Sequence, residues 1–340
     1  MTNQTYVFDG NLTAVEPLTV TIKGVLNGRL PRNGAIEDTA YWPATTIRGS
    51  LRHAAHLVAL RFTQENNLPE FDLADHFMLA QGVDIVGDLL KPADGEIDGT
   101  RALREHNPMI SLFGLWGVAS KTTIGNAFPI TPNPTAMFGG GARTIMFERS
   151  PELLEVLNEA ETARLKNILE EQSLAAVDIA ELKAKQALLK KQARTAEDKA
   201  PLYAEIASIE TEIQTRKDAK GEARESIRRP IDQYEAITAG TVMGHRMSLK
   251  NASELELGFF IATLLEFARS PRMGGHQAHG CGLVEGSWAV KTWLPKALSP
   301  TTVGNIQFDG DGFRLEGELL HRAYQVWCDN SSSKFNKRIA

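Results

Sequence analysis

From residue 4 to residue 30 apolar and polar positions alternate. Tyr6 and Phe8 come first, then Leu18, Val20 and Ile22, with turn signals at Gly10 and Asn27-Gly28. A period of two predicts two strands. Residues 29–41 are polar and turn-rich, a loop. Ile47, Leu51, Ala54, Ala55, Val58 and Phe62 then follow Pro43 at helical spacing, with Thr45 or Thr46 as the expected N-cap. Residues 64–107 are mixed and acidic and read as a surface excursion. Residues 109–150 hold Leu112-Phe113-Gly114 and a Pro/Gly-rich stretch, and end in strand-like Thr144-Ile-Met-Phe147.

The pattern changes at residue 152. Through residue 228 the only glycine is Gly221 and the only proline Pro201, and good helix formers dominate. Leu202, Ile206, Ile209 and Ile213 repeat at steps of 4, 3 and 4, a coiled-coil-like seam. Ile179, Leu182 and Leu189 fit the same step, with Gln186 interrupting it. This predicts two antiparallel helices parted near Pro201. Beyond it, Tyr234 to Leu249 reads as a turn into a strand, and Ser253 can cap a helix from Glu254 to Arg269. A glycine-dense loop and a strand-like run, Leu283 to Val290, follow. The order predicts an α+β fold on a central antiparallel sheet. Its parts are 1–150 (core, with the 64–107 excursion), 151–229 (helical hairpin) and 230–340 (rest of the core).

Composition narrows the classes. At 340 residues, 42% hydrophobic and 23% charged, the chain reads as an ordinary globular protein. No apolar run spans a bilayer and no signal peptide is evident, so no membrane partner and a cytoplasmic location are expected. Two cysteines, Cys281 and Cys328, are too few for a disulfide framework. The net charge of −5 hides local asymmetry. Lys23, Arg29, Arg32, Arg48 and Arg52 face only Glu37 and Asp38, and Lys334, Lys337 and Arg338 crowd the last ten residues. The overall charge argues against nonspecific wrapping on nucleic acid, while the local asymmetry allows a basic groove inside an acidic whole.

The loop Arg272-Met-Gly-Gly-His-Gln-Ala-His-Gly-Cys-Gly282 concentrates four glycines, which permit positive φ and close approach of another chain or a phosphate. It is no nucleotide P-loop. Gly275 and Gly280 have the interval, but Cys281-Gly282 stands where Lys-Ser/Thr is needed. His276, His279 and Cys281 lack a fourth ligand, so no metal and no cofactor are expected.

Four segments together carry a resemblance. Trp42-Pro-Ala-Thr-Thr-Ile-Arg-Gly-Ser-Leu-Arg52 resembles the helix signature of the RAMP superfamily of CRISPR proteins. Glu235-Ala-Ile-Thr-Ala-Gly-Thr-Val-Met243 resembles its Glu-x-Ile-x-x-Gly-Thr segment. Gly274 to Val284 resembles its C-terminal glycine-rich loop, and Leu112-Phe113-Gly114 a recurring Leu-Phe-Gly. Within the superfamily the chain looks most like the backbone subunit of type IV complexes.

The resemblance implies a modified ferredoxin-like (RRM-like) core with a thumb and a helical-hairpin insertion. Its copies would assemble along CRISPR guide RNA, beside other type IV subunits, and present bases for pairing with target DNA. It implies RNA contacts from Arg29, Arg32, Thr45, Thr46, Arg48, Ser50, Arg52, Arg143, Arg228, Arg272, Gly274, Gly275, His276 and His279. Arg48 and Arg52, four apart, share a helix face and are expected to hold successive phosphates. The thumb has two candidate positions, Ala127–Met146 with Met137, Phe138 and Arg143, or Glu225–Tyr234 with Arg228 and Arg229.

Type III backbones cut RNA with an aspartate in the loop before the helix signature. Here the early part of that loop carries Arg29 and Arg32, so no nuclease activity is expected. Two alternatives stay open: a guide-processing endonuclease using His276 or His279 as general acid/base, and an RNA-free oligomeric scaffold.

Overall fold

The computed structural model describes residues 3–20, 29–34, 38–85, 96–132, 134–139, 151–195, 199–218, 233–294 and 296–335. The expected strands through Ile22 and at 144–147 fall wholly or partly outside them. The chain divides into two compact units, Met1–Phe138 with Gln233–Ala340, and Gly139–Asp232.

In chain order the first unit contains β1 (Gln4–Ala14), α1 (Ala44–Glu65), α2 (Leu73–Gln81), α3 (Glu96–His106), α4 (Pro108–Phe113), β2 (Thr122–Ile124), β3 (Phe128–Pro129) and β4 (Thr135–Phe138). The second unit contributes α5 (Glu159–Thr195) and α6 (Ala200–Asp218) after a 3-10 turn, Pro151–Val156. The first then resumes with β5 (Tyr234–Ile237), β6 (Val242–Ala252), α7 (Glu254–Ala268), β7 (Val284–Thr292), β8 (Thr301–Asp309), β9 (Gly312–Glu316) and α8 (Glu318–Cys328).

One antiparallel sheet runs β2-β6-β1-β7-β8-β9, with β3 also on β6. β1, α1, β2/β3, β6, α7 and β7 reproduce the βαββαβ order of a ferredoxin-like core. The residue 64–107 excursion supplies α2 and α3, between α1 and β2. Alternation sorts the faces. Tyr6, Phe8 and Leu12 of β1, Met243 and Met247 of β6, and Trp288 and Val290 of β7 are buried in one core with α1, α7 and α8. Asp9 and Asn11 are on the open face, where Lys291 Nζ donates to Asp9 at 2.8 Å.

α7 starts where Ser253 accepts from Glu256 N–H and the Glu256 carboxylate accepts from Ser253 N–H, a reciprocal cap. It buries Phe259, Phe260 and Phe267, and Phe260 meets Phe8 edge-on at 5.2 Å. Each such ring contributes roughly 1.5–3 kcal/mol. α1 begins differently from the sequence expectation. Its N-cap is Pro43, with no side-chain cap, so neither Thr45 nor Thr46 serves. Asn126 Oδ1 accepts from Ala44 N–H at 2.8 Å instead, reaching across 82 positions.

Within the second unit, Ile179 and Leu189 of α5 bury against Ile206, Ile209 and Ile213 of α6, with Leu182 and Leu202 alongside. Gln186, the polar break in the seam, donates to Glu210 at 2.7 Å. Pro201 is the second residue of α6, where its missing N–H removes nothing the helix uses. Among the described residues no helix is long and apolar enough to cross a membrane.

Two histidines make the core sensitive to acid. His56 lies against His76 at 3.0 Å, and its pKa is lowered to about 4, by burial first and then by His76. His245 accepts from Trp288 Nε1 at 3.3 Å and is lowered to about 4 by burial. Both folded values lie below the unfolded one, so unfolding takes up protons between about pH 6.5 and 4. Stability is then full above pH 6.5 and falls as pH drops toward 4. At pH 5 the expected loss is roughly 2 kcal/mol for His245, and less for His56, whose charged form solvent partly screens. The urea midpoint at pH 5 and at pH 7.5 checks this, and equal midpoints would refute it.

Candidate nucleic-acid interface

The glycine-rich loop follows α7 and is tied at both ends. Val284 N–H donates to Pro271 O and Met273 N–H to Gly282 O, both at 2.9 Å. Arg272 spans the mouth. It makes a two-pronged ion pair with Glu16 and donates to Cys281 O at 2.9 Å. That hydrogen-bonded pairing holds Glu16 below the usual carboxylate range and raises Arg272. Arg272 is thereby a brace of the loop, with Glu16 and Cys281 as its partners.

Three remote segments meet here. Gly275 N–H donates to Thr19 O at 2.8 Å, and Thr19 Oγ1 donates to Glu235 O, 216 positions away, at 3.1 Å. Gly274, at φ +82°, presses on Thr19 O and the fully buried Trp42 ring, leaving no room for a Cβ. Trp42 is bridged to Ala127 by two 2.9 Å backbone hydrogen bonds, so the loop abuts the start of α1. The Gly240-Thr241 turn closes the far side. Gly240 N–H donates to Ala14 O at 2.7 Å, and Ala14 N–H donates to Thr241 O at 2.9 Å.

The α1 N-terminus has no acidic residue in its first turn, Thr45 is exposed, and Thr46 and Ser50 are half-buried. A 22-residue helix presents partial positive charge there. Arg48 and Arg52, expected to hold successive phosphates, both turn toward backbone carbonyls. Arg52 is only 5% exposed. It donates to Leu79 O at 2.6 Å, Met78 O at 2.9 Å and Phe113 O at 3.2 Å. It therefore caps the C-termini of α2 and α4, where the last carbonyls lack part of their intrahelical partners and the dipole favours a cation. Burial, then Arg48, lowers its pKa to about 10. Half-buried Arg48 also donates to Phe113 O. The Arg-x-x-x-Arg and Leu-Phe-Gly motifs are thus two sides of one contact.

Glu235 is buried and accepts from Leu30 N–H at 3.0 Å and from the Arg32 guanidinium. Arg32 thus anchors its own loop while remaining exposed, as Arg29 is. Arg143 and Arg228 lie outside the described residues. The first thumb candidate contains β4, which pairs with β5, and the second reaches β5 only at Tyr234, opposite Phe138; the rest of the second up to residue 232 lies outside the described residues.

Beside this ladder the loop lays down a ring. His276 stacks on Tyr234 with centroids 4.2 Å apart and planes within 9°, and Phe138 stacks on Tyr234 at 6.3 Å. The Tyr234 hydroxyl meets the buried Cys281 thiol at 3.4 Å. That hydrogen bond, then burial, pushes its pKa up to about 12, so it stays a phenol. His276 and His279 are exposed. Among the described residues no cluster of three His, Cys, Asp or Glu stands ready for a metal.

The sequence reading missed Glu16, Thr19, Asn126 and the Tyr234–His276 stack. No local signal marks the first three, because each is defined by a partner far along the chain.

No family model matches this sequence, and no curated protein matches it. Among solved structures, a chain of a "Type IV-B CRISPR Complex" is similar over 87% of this chain and 92% of its own, at 14% identity and a TM-score of 0.40.

Proposed function

We propose that this chain is a non-catalytic backbone subunit of a type IV CRISPR ribonucleoprotein. Copies line up on guide RNA, grip its sugar-phosphate backbone and leave the bases to pair with target DNA. One observation carries the reading: the helix signature, the Glu-x-Ile segment and the glycine-rich loop, quoted for their resemblance, converge on Thr19 and Gly274. That junction stands beside a helix N-terminus free of acid and furnished with hydroxyls. Such a surface suits phosphate oxygens and carries no base-specific readout, as a variable guide requires. Arg29, Thr45, Thr46 and Ser50 are the side chains assigned to the backbone, with Arg48 in support. Arg52 shapes the surface from behind, and Arg272 and Arg32 brace its loops through Glu16 and Glu235.

The test is purification after co-expression with a CRISPR array, reading absorbance at 260 against 280 nm and sequencing the bound RNA. Discrete guide-length RNA in a large oligomer is the expected result. Thr45→Glu separates binding from folding. A carboxylate in the first turn stabilises a helix by roughly 0.3–1 kcal/mol, yet it repels a phosphate at the same place. Bound RNA should fall severalfold while the melting temperature holds or rises. A nucleic-acid-free monomer from the parent chain would sink the proposal.

A further inference from the structure

We propose that the solvent-facing side of the His276 imidazole is a stacking platform for one unpaired nucleobase. This deepens the RNA-backbone reading and rests on it. His276 extends a ladder of rings, Phe138 on Tyr234 and Tyr234 on His276, and the last pair is nearly coplanar at 4.2 Å. The inner face of the imidazole is thus occupied and its outer side is exposed. His279, 6.0 Å away and tilted by 58°, does not close that side as a stacked ring would.

The ring is held before any ligand arrives. His276 takes φ +54°, a left-handed backbone uncommon for residues other than glycine, which histidine tolerates better than most. Strain of this kind persists only where the surroundings enforce it. Here His279 N–H donates to His276 O at 2.8 Å, Gln277 donates to Gly274 O at 3.0 Å, and the preceding Gly275 is tied to Thr19. Tyr234 beneath is fixed by Cys281. A pre-positioned ring loses little side-chain entropy when a base lands on it, and every base has a π-face. The platform therefore takes any base, and it adjoins the junction assigned above to the sugar-phosphate chain.

The probe is single-stranded oligoadenylate RNA carrying 2-aminopurine at each position in turn, read by fluorescence quenching and by affinity. Loss of one base stack corresponds to roughly tenfold weaker binding. His276→Asn suits the left-handed backbone and keeps hydrogen-bonding groups but removes the ring. It should bind about tenfold more weakly and lose the quenching. His276→Phe keeps a ring without donors or charge and should retain both. An abasic oligonucleotide should bind the parent and His276→Asn equally, a readout that holds even if the Phe variant misfolds. Parent-like binding and quenching by His276→Asn would overturn the platform alone. So would a folded His276→Phe as weak as His276→Asn, since it would assign the ring to proton transfer or hydrogen bonding. No binding of any oligonucleotide by the parent would remove the RNA reading as well.

Discussion

Replacing Arg52 by methionine is expected to destabilise the first unit by roughly 3 kcal/mol or more, and bound RNA should disappear only in step with folded protein. The guanidinium donates three hydrogen bonds to Leu79, Met78 and Phe113 carbonyls from a nearly sealed position. Hydrogen bonds to charged groups contribute about 1.5–3 kcal/mol each, and carbonyls left dry and unpaired add a desolvation penalty. Met78 O also accepts from Gly82 N–H, and Phe113 O from Arg48, so the loss is less than three full bonds. Lysine does not rescue, because a single ammonium cannot reproduce a planar fork aimed at two helix ends. Urea midpoints and the RNA content per folded chain decide it. A variant with a parental midpoint and no RNA would return Arg52 to the phosphate surface.

That residue also shows where a sequence stops informing. The 3.6 period correctly puts Arg48 and Arg52 on one face of α1. It cannot say what covers that face, and the covering carbonyls lie 26, 27 and 61 positions beyond Arg52. The same limit explains the α1 cap, taken by Asn126 from across the fold, and the glycine loop, whose brace is Glu16. Local chemistry was legible wherever it closed within a few residues. The Ser253–Glu256 box, the α5–α6 seam and the strand alternation of β1 are all present where their spacing puts them. A ladder between Phe138 and Tyr234, one residue from each thumb candidate, joins segments that a long helical insertion separates in sequence. Pairing across that gap leaves no periodic mark on either strand.

Gly274→Ala is expected to disrupt the junction on which the functional reading depends, and Gly280→Ala in the same loop is its control. Both glycines have positive φ, +82° and +74°, so alanine strains both backbones by roughly 1 kcal/mol. They differ in space. A methyl at Gly280 meets nothing within 4 Å, whereas at Gly274 it would sit 2.3 Å from Thr19 O and 2.6 Å from the Trp42 ring. Neither neighbour can yield cheaply. Thr19 is tied through its carbonyl to Gly275 and through its hydroxyl to Glu235, and Trp42 is clamped to Ala127 at the start of α1. Overpacking at such a site adds about 1–3 kcal/mol, and relief requires the loop to lift from α1. Gly274→Ala should therefore lower the melting temperature well beyond Gly280→Ala and strip RNA from the chain that remains folded. Equal, small effects of the two would mean that the loop and the helix start are not one surface. A folded Gly274→Ala protein with parental RNA content would mean that RNA is held elsewhere. Because Gly280→Ala carries the backbone strain without the collision, the difference between the two variants isolates the contact that joins the loop to α1.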